Sequence, residues 1–339
     1  MTKEKIKVIG LVSGGLDSHL ATRIMKKLGY DITALNFTSP FCNCTRKDHG
    51  CKNEAARLAE ELGIKVQVEF MGQEYIDLVR NPKHGYGKNM NPCVDCRIMI
   101  FRRAKVVMEN LGAAFIFTGE VVGQRPMSQK AVRMELIDRE AGLSGMVVRP
   151  LSAQILPPTI PEMNGLVDRE KMLAIQGRSR KDQIRIMRDE YEVTENLCSS
   201  GGCSLTDPQF AHRMRDLLEN SSDASVKDAR LLRVGRHFRV SPGIKVIVGR
   251  DEKENDRLEK MAAENDFLFM PEEVRGPLSV VKGSFGKEDL DPICKAVARY
   301  CPGDENRRVK IKYKMKNGKT EWRHIASPAT EAELDTWRV

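Results

Sequence analysis

The sequence predicts an α/β fold built on a parallel β-sheet with helices on both faces, followed by a smaller α+β domain. The first observation is that strand-like apolar segments alternate with amphipathic helical segments from residue 5 to residue 189, which is the pattern of βαβ units. The second is a change of character after Asp228, where short strand-like segments dominate and one helical segment interrupts them.

The elements of the first domain follow one another in a regular order. The predicted strands cover residues 5–12, 32–37, 66–70, 114–118 and 146–151. The predicted helices cover residues 19–28, 53–62, 97–111 and 178–189. Gly29, Gly63 and Gly112 directly follow three of these helices, and glycine in that position is a common helix terminator.

The segment between the domains has no apolar periodicity. Residues 195–205 are rich in Ser and Gly and contain two cysteines, so they predict a loop, followed by a helix at 209–218 and a polar linker at 220–225. Beyond the linker we predict strands at 230–239, 245–248 and 278–282 and a helix at 252–264. We therefore expect a first domain at 1–195, a cysteine-containing loop and linker at 196–227, and a second domain at 228–339.

The composition is that of an ordinary globular protein with a basic balance. The chain has 339 residues, of which 41% are hydrophobic and 30% charged, and no apolar run reaches the length of a membrane helix. The first five residues lead straight into a strand without a signal-peptide pattern, so we expect a cytoplasmic protein with no membrane partner. A net charge of +9 favours a polyanionic partner.

The strongest local motif is Ser13-Gly14-Gly15-Leu16-Asp17-Ser18, between the first strand and the first helix. Glycines let the backbone approach a phosphate closely, and the amides of the helix N-terminus then face the anion. The two serines add hydroxyl donors, and the Asp17 carboxylate suits a cation such as Mg²⁺. No Gly-Lys-Ser/Thr follows, so the loop is not of the Walker type.

This hexapeptide resembles the PP-loop of the ATP pyrophosphatases, whose fold is adenine nucleotide alpha hydrolase-like. The resemblance implies that ATP is cleaved between its α- and β-phosphates and that an oxygen atom is adenylated. It implies that the adenine lies at the end of the second strand, beside Asn36 and Phe37, and that Asp17 is catalytic through its cation. The residues expected to bind the phosphates and Mg²⁺ are Ser13, Gly14, Gly15, Asp17 and Ser18.

A second motif, Thr118-Gly119-Glu120-Val121-Val122-Gly123-Gln124 with Ser128-Gln129 after it, lies at the carboxyl end of a predicted strand, where such sheets bind ligands. It resembles the Thr-Gly-Glu-x-x-Gly-Gln-x-x-Ser-Gln element of the 4-thiouridine synthetase (ThiI-type) family, with one extra residue before Ser128. The resemblance, supported by the segments 149–151 and 168–170, covers residues 5–215. It implies tRNA thiolation and a nucleotide site that includes Thr118, Gly119 and Gln124.

Nine cysteines in an odd, clustered arrangement argue against a disulfide framework. Cys93 and Cys96 form a Cys-x-x-Cys motif at a helix start, where the helix dipole and nearby arginines favour thiolates. The pair is similar to that of iron–sulfur tRNA thiolation enzymes, which implies a [4Fe-4S] cluster on Cys93, Cys96 and either Cys198 or Cys203. In cluster-free relatives the equivalent cysteines act as nucleophile and persulfide carrier. A structural zinc site and simple buried thiols are the remaining interpretations.

Cys42, Cys44 and Cys51 form a separate group with His49 between them. Three thiols and a histidine could make a complete Zn²⁺ site. The same segment could equally be a loop over the ATP pocket whose thiols have no ligand role.

The second domain carries a further pattern, in which Gly249-Arg250-Asp251 precedes Asn255 and a Gly-Pro-Leu-Ser-Val-Val-Lys strand ends at Lys282. It resembles the NFACT-R RNA-binding domain over residues 230–283. The resemblance implies RNA contacts from Arg236, Arg250 and Lys282.

The strand-like segment from Arg308 to Lys316 alternates strictly between cationic and apolar residues, which places the cations on one face. An Asn317-Gly318 turn follows it. The face suits phosphate contacts from Arg308, Lys310, Lys312 and Lys314. An edge strand protected by lysines against aggregation would show the same pattern.

Together these patterns predict an ATP-dependent tRNA sulfurtransferase that adenylates a uridine carbonyl oxygen and replaces it with sulfur. No rhodanese-like segment is apparent, so we expect the sulfur to come from a cysteine desulfurase or from free sulfide. The rival predictions are a PP-loop ligase that inserts nitrogen and an RNA-binding factor with a decayed nucleotide site. Neither the modified uridine, its 2- or 4-position, nor the oligomeric state follows from the sequence.

Overall fold

The computed structural model describes residues 5–43, 51–194 and 202–339, without the side chains of residues 51–53. It separates into two compact units that divide between Thr206 and Asp207, a point inside the predicted segment 196–227. Within the described residues, no helix is both long and apolar enough to span a bilayer.

The first unit is a five-stranded parallel sheet with the strand order β3-β2-β1-β4-β5. Its strands are β1 (Lys7–Leu11), β2 (Asp31–Thr38), β3 (Lys65–Phe70), β4 (Ile116–Thr118) and β5 (Val147–Val148). Its helices are α1 (Leu16–Lys27), α2 (Cys51–Leu62), α3 (Gln73–Arg80), α4 (Cys93–Leu111), α5 (Ala131–Glu140), α6 (Ile160–Met163) and α7 (Lys181–Tyr191), with short 3₁₀ turns at Arg169–Lys171 and Ser204–Thr206. The predicted parallel sheet is confirmed.

The two faces of this sheet are covered by different helices, because successive strand residues point to opposite sides. On one face, Val8 packs into a core with α1 and α7. On the other, the adjacent Ile9 packs into a core with α4 and α5. The carboxyl ends of the central strands β1 and β4 therefore lie side by side, and the loops that follow them share one edge of the sheet.

The second unit is a six-stranded antiparallel sheet with the order β11-β10-β8-β9-β7-β6. Its strands are β6 (Arg236–Ser241), β7 (Ile244–Val248), β8 (Phe267–Pro271), β9 (Ser279–Lys282), β10 (Val309–Met315) and β11 (Trp322–Ala326). Its helices are α8 (Pro208–Asn220), α9 (Val226–Leu231), α10 (Glu252–Met261), α11 (Leu290–Ala298) and α12 (Glu331–Trp337). The predicted α+β class of this domain is confirmed.

Two predicted elements differ from their predictions for local reasons. The strand predicted at 230–239 begins only at Arg236, because Ser225 and Asp228 form a capping box that starts α9 inside the segment interpreted as linker and strand. The strand predicted at 146–151 is only two residues long, because Pro150 has no amide hydrogen to donate and the Arg149 side chain forms a buried ion pair with Glu120. β8 was not predicted, although it lies in the middle of the second sheet.

Candidate active site and nucleic-acid interface

The phosphate-binding loop predicted at residues 13–18 connects β1 to α1. Gly14 has φ +78°, a conformation that favours glycine. Ser18 Oγ donates to the Gly15 carbonyl oxygen at 2.8 Å, and Ser13 Oγ lies 3.4 Å from Ser18 Oγ. No side chain caps the N-terminus of α1, so its first backbone amides are available to donate hydrogen bonds to an anion.

The second predicted motif lies directly against this loop. A Cβ atom on Gly119 would come within 2.6 Å of backbone atoms of Asp17 and Ser18, so the approach of the two loops requires glycine. Both loops line one pocket, formed by Leu11, Ser13, Gly15, Asp17, Ser18, Arg97, Thr118, Gly119, Glu120, Gln124, Arg125 and Gln129. The structure thus brings most of the predicted nucleotide-binding residues together.

Asp17 is half-buried at the floor of this pocket and accepts a hydrogen bond from Gln183 Nε2 at 3.2 Å. Burial raises the pKa of its carboxyl group, and the nearby Gln124 side chain and the charge of Arg180 oppose that rise. A carboxylate that is costly to ionise in isolation is well suited to a divalent cation, whose charge would replace the missing solvation.

Glu120 anchors the second loop through buried ion pairs. Its carboxylate lies 3.1 Å from Arg149 Nε and 3.3 Å from Arg97 Nε, and Arg149 forms two 2.8 Å hydrogen bonds with Asp138. Burial by itself would raise the pKa of Glu120, but Arg97 and Arg149 hold it below its usual value. The network fixes the loop beside β4 and presents Arg97 to the pocket.

Asn36 and Phe37, predicted to lie beside the adenine, are not among the residues that line the pocket in the described part of the chain. Asn36 is fully buried, and its Nδ2 donates to the Val12 carbonyl oxygen at 2.8 Å. Phe37 packs against the core under α4. Their role in nucleotide binding stays a prediction.

The Cys-x-x-Cys pair begins α4, as predicted. Cys93 Sγ donates to Asn91 Oδ1 at 3.1 Å, and Cys96 forms a side-chain hydrogen bond with the buried Tyr75. Cys203 lies close enough to both thiols that a charge on either would raise its pKa. Three of the four predicted sulfur-chemistry residues therefore converge beside Tyr75; the fourth, Cys198, lies outside the described residues.

These thiols are not the stabilised thiolates that the helix position predicted. Burial raises the pKa of Cys93, against the charges of Arg125 and Arg97, and it raises the pKa of Cys96 to about 11 and of Cys203 to about 12. Desolvation outweighs the helix dipole and the nearby arginines.

Cys42 lies beside this group of thiols. It is the antiparallel bridge partner of Cys203, and a negative charge on its sulfur would raise the pKa of both Cys96 and Cys203. The side chains of Cys44, His49 and Cys51, with which it was predicted to bind zinc, lie outside the described residues. Among the side chains that the structure describes, no three His, Cys, Asp or Glu groups are arranged to hold a metal ion.

Three residues of this site were missed from the sequence. Arg125 lies where the second motif has its extra residue, and that departure in spacing was the available signal. Gln183 reaches Asp17 from α7, and Tyr75 reaches Cys96 from the unpredicted helix α3. Neither has a local sequence signal, because each contact joins distant parts of the chain.

In the second unit, arginines line a concavity of about 800 Å³ at the carboxyl end of β7. Arg236 lies over the Tyr300 ring, 4.3 Å from its centroid, which fixes the plane of the guanidinium group. Arg250 donates to the Gly235 carbonyl oxygen at 3.1 Å. Arg275 and Arg299 line the same concavity, so two predicted RNA-binding residues lie beside two that were not predicted. Carboxylates also lie near these arginines, since Arg250 pairs with Glu254 at 3.5 Å and Arg299 with Glu331 at 3.2 Å.

The other predicted RNA-binding cations lie outside the concavity. Lys282 pairs with Asp228 at 2.9 Å and Asp266 at 3.4 Å. Lys310 pairs with Glu272 at 3.0 Å and Glu273 at 3.4 Å. The remaining members of the cationic strand face are Arg308, which is exposed, and Lys312 and Lys314, which are half-buried.

Comparison with known proteins agrees with this arrangement. Residues 3–154 match the family described as Thiamine biosynthesis protein (ThiI), and residues 235–338 match the family described as NFACT protein RNA binding domain.

The chain is similar to two curated tRNA-modifying proteins. It is 32% identical over 136 residues to the tRNA-specific 2-thiouridylase MnmA of Leptospira biflexa, a match that spans only about a third of that protein (34% of each chain). It is 24% identical over 240 residues to a "Probable tRNA sulfurtransferase" of Methanothermobacter thermautotrophicus, over 69% of this chain and 54% of that protein. The solved complex of a 4-thiouridine synthetase with RNA and bound ATP shows 20% identity and a TM-score of 0.37, over 63% of this chain and 51% of that one.

Proposed function

Since this chain carries a ThiI-family domain at residues 3–154 and an NFACT-type RNA-binding domain at residues 235–338, we propose that it is an ATP-dependent tRNA sulfurtransferase. The substrate is a uridine in tRNA, whose carbonyl oxygen is exchanged for sulfur. The curated relatives, a 2-thiouridylase and a "Probable tRNA sulfurtransferase", support this reaction class.

One observation carries the proposal: the phosphate-binding pocket and the thiols share the same two arginines. Arg97 lines the pocket, pairs with Glu120 and acts on Cys93 and Cys96. Arg125 lines the pocket and acts on both Asp17 and Cys93. In the proposed reaction, ATP bound in this pocket would activate the oxygen, and the thiols beside the same arginines would deliver the sulfur.

The proposed reaction has two steps. The uracil carbonyl oxygen attacks the α-phosphorus of ATP, the bond to the β-phosphate oxygen breaks, and pyrophosphate leaves. Sulfur then adds to the same carbon and AMP leaves with the original oxygen. Adenylation is needed because oxide is a poor leaving group. The loop amides and serines hold the phosphates, Asp17 would hold Mg²⁺, and Arg97 and Arg125 balance the developing negative charge.

Two sources of sulfur fit the thiols. The first is a [4Fe-4S] cluster, for which Cys93, Cys96 and Cys203 offer the usual soft ligands and which would supply the sulfur; their side chains would have to draw together around it, because no three described groups are arranged as a metal site. The alternative is a persulfide on one of these cysteines. Burial raises the pKa of all three thiols, so either route must displace the thiol protons, and on the cluster route the charge of the iron would do so.

The arginine-lined concavity of the second unit is the proposed RNA contact. Its guanidinium groups suit phosphate oxygens, and the Arg236–Tyr300 stack holds one of them in a fixed orientation. The cationic face of β10 is a weaker candidate, because Glu272 and Glu273 neutralise part of it.

The proposal is tested with an unmodified tRNA transcript, ATP, Mg²⁺ and sulfide under anaerobic conditions. We expect thiouridine and AMP to form in equal amounts, measured by mass spectrometry of nucleosides and by nucleotide chromatography. Asp17→Asn should lower the rate by about 100-fold or more, since it removes the charge that holds the cation. Asp31→Asn, at an exposed carboxylate at the start of β2, is the matched control and should retain the rate.

Thiouridine formation by Asp17→Asn at the native rate would contradict the assigned site. Pyrophosphate release that depends on ammonia and does not depend on sulfide would support the nitrogen-inserting ligase instead.

The source of sulfur is tested by purifying the protein without oxygen. Bound cluster should give a broad absorption near roughly 400 nm and about four irons per chain, and Cys93→Ser or Cys96→Ser should remove both. Colourless, iron-free protein that still thiolates tRNA with a persulfide donor would exclude the cluster and favour the persulfide route.

A further inference from the structure

Two segments that are far apart in the sequence run antiparallel at the thiol group. The Asn43 amide donates to the Gly202 carbonyl oxygen at 3.0 Å, and the Ser204 amide donates to the Phe41 carbonyl oxygen at 2.8 Å. Cys42 and Cys203 stand opposite each other between these two hydrogen bonds. The bonds flank the cysteines and do not join them, so this is a non-hydrogen-bonded antiparallel pair.

Such a pair brings its side chains close together. The Cα atoms of a non-hydrogen-bonded pair are about 4.5 Å apart and the side chains point to the same face. A disulfide needs a Cα separation of roughly 4.4–6.8 Å, so Cys42 and Cys203 can be bridged without moving the backbone.

Neighbouring groups hold the two segments and the thiols in register. Ser204 Oγ donates at 2.6 Å to Asn43 Oδ1 and lies 3.0 Å from the Phe41 carbonyl oxygen. The Ser39 amide donates to Cys42 Sγ at 3.3 Å. Both cysteines are half-buried, so a small oxidant can reach them. The other two thiols of the group are engaged elsewhere, with Asn91 and Tyr75.

We propose that Cys42 and Cys203 form a reversible disulfide. The two thiols give up two electrons and two protons to a low-molecular-weight disulfide, which leaves as two thiols, and a dithiol reductant restores the pair. The consequence for catalysis rests on the proposed function: while the bond exists, Cys203 cannot ligate iron or carry a persulfide, so sulfur transfer stops until the pair is reduced.

The test uses the full chain, purified reduced and without iron, and oxidised glutathione as the probe. After alkylation and proteolysis, mass spectrometry should find a peptide that joins Cys42 to Cys203, and the alkylated thiols should fall by two per chain. Dithiothreitol should reverse both changes. Cys42→Ser and Cys42→Ala should each abolish the joined peptide, whereas Cys93→Ser is the matched control and should retain it.

The proposal is overturned if Cys203 joins Cys93, Cys96, Cys44, Cys51 or Cys198 instead, or if Cys42 only forms a mixed disulfide with glutathione. The measurement requires neither ATP nor tRNA, so its failure is distinguishable from a failure of the thiolation assay. In that assay, oxidised native protein should lose thiolation reversibly. Oxidised protein that carries the Cys42–Cys203 bond and still thiolates tRNA would refute the catalytic consequence.

Discussion

At the scale of single residues, burial decides the chemistry of the first unit more than sequence position does. The thiols at the start of α4 occupy a place that usually lowers a thiol pKa, yet desolvation raises the pKa of Cys93 and Cys96. His19, one residue after the phosphate-binding loop, shows the same effect. It is 2% exposed, and burial together with the charge of Arg23 lowers its pKa to about 4.

This histidine makes the stability of the protein depend on pH. Between pH 6.5 and pH 4 the unfolded chain binds a proton at His19 and the folded chain does not, so the free energy of unfolding decreases as the pH falls. We expect His19 to account for about 2 kcal/mol of that decrease between pH 7 and pH 5. Urea unfolding of His19→Gln at the two pH values should show a correspondingly smaller difference.

The control is His212→Gln at an exposed histidine of α8, which should unfold with the native pH dependence. An unchanged pH dependence in His19→Gln would mean that the folded protein accommodates the charged imidazole.

At the scale of elements, the second unit shows why a charge pattern on one strand does not identify a binding face. The alternation of β10 correctly predicted a strand with cations on one face. The partners of Lys310, however, are Glu272 and Glu273, which directly follow the adjacent strand β8. The arginines of the concavity come from separate elements, including β6 and the residues after α11, so no local run of charge marks them.

A pair of substitutions separates these two surfaces. Arg236→Ala should weaken tRNA binding about fivefold at 0.15 M salt and reduce the salt slope of log K by about 1, because one phosphate contact is lost. Lys310→Ala removes a cation that is already paired and should change both quantities much less. Fluorescence anisotropy with labelled tRNA over a range of salt concentrations measures both. Equal or reversed effects would assign the RNA contact to the face of β10.

At the scale of the whole molecule, each unit has its own hydrophobic cores and its own candidate site. The first unit packs two cores on the two faces of its parallel sheet, and the second packs separate cores against its antiparallel sheet. The fold class of both units was predictable, because periodicity and glycine punctuation are local properties of the chain.

The residues that form the candidate site were predictable only in part, because some of them meet through contacts between loops. A parallel sheet places the motifs that follow β1 and β4 at the same edge, and the observed pairing of β1 with β4 brings them together, as the contact of Gly119 with Asp17 shows. Cys42 and Cys203 meet because two loops pack together. The Ser204–Asn43 hydrogen bond joins these loops across 161 residues of sequence. The sequence did not predict this contact, since loop geometry leaves no periodic pattern in the sequence.

The two arginines shared by the pocket and the thiols have a thermodynamic consequence. Arg97 and Arg125 each act on an acidic group of the pocket and on Cys93. An anion bound in the pocket would partly neutralise the positive potential of the two arginines. That potential would then stabilise a negative charge on Cys93 less. If the proposed nucleotide binds here, its occupancy and the ionisation of the thiol would oppose each other, and by reciprocity each would change the equilibrium constant of the other by the same factor. In the proposed reaction, departure of pyrophosphate would relieve that antagonism and would favour the thiolate after adenylation.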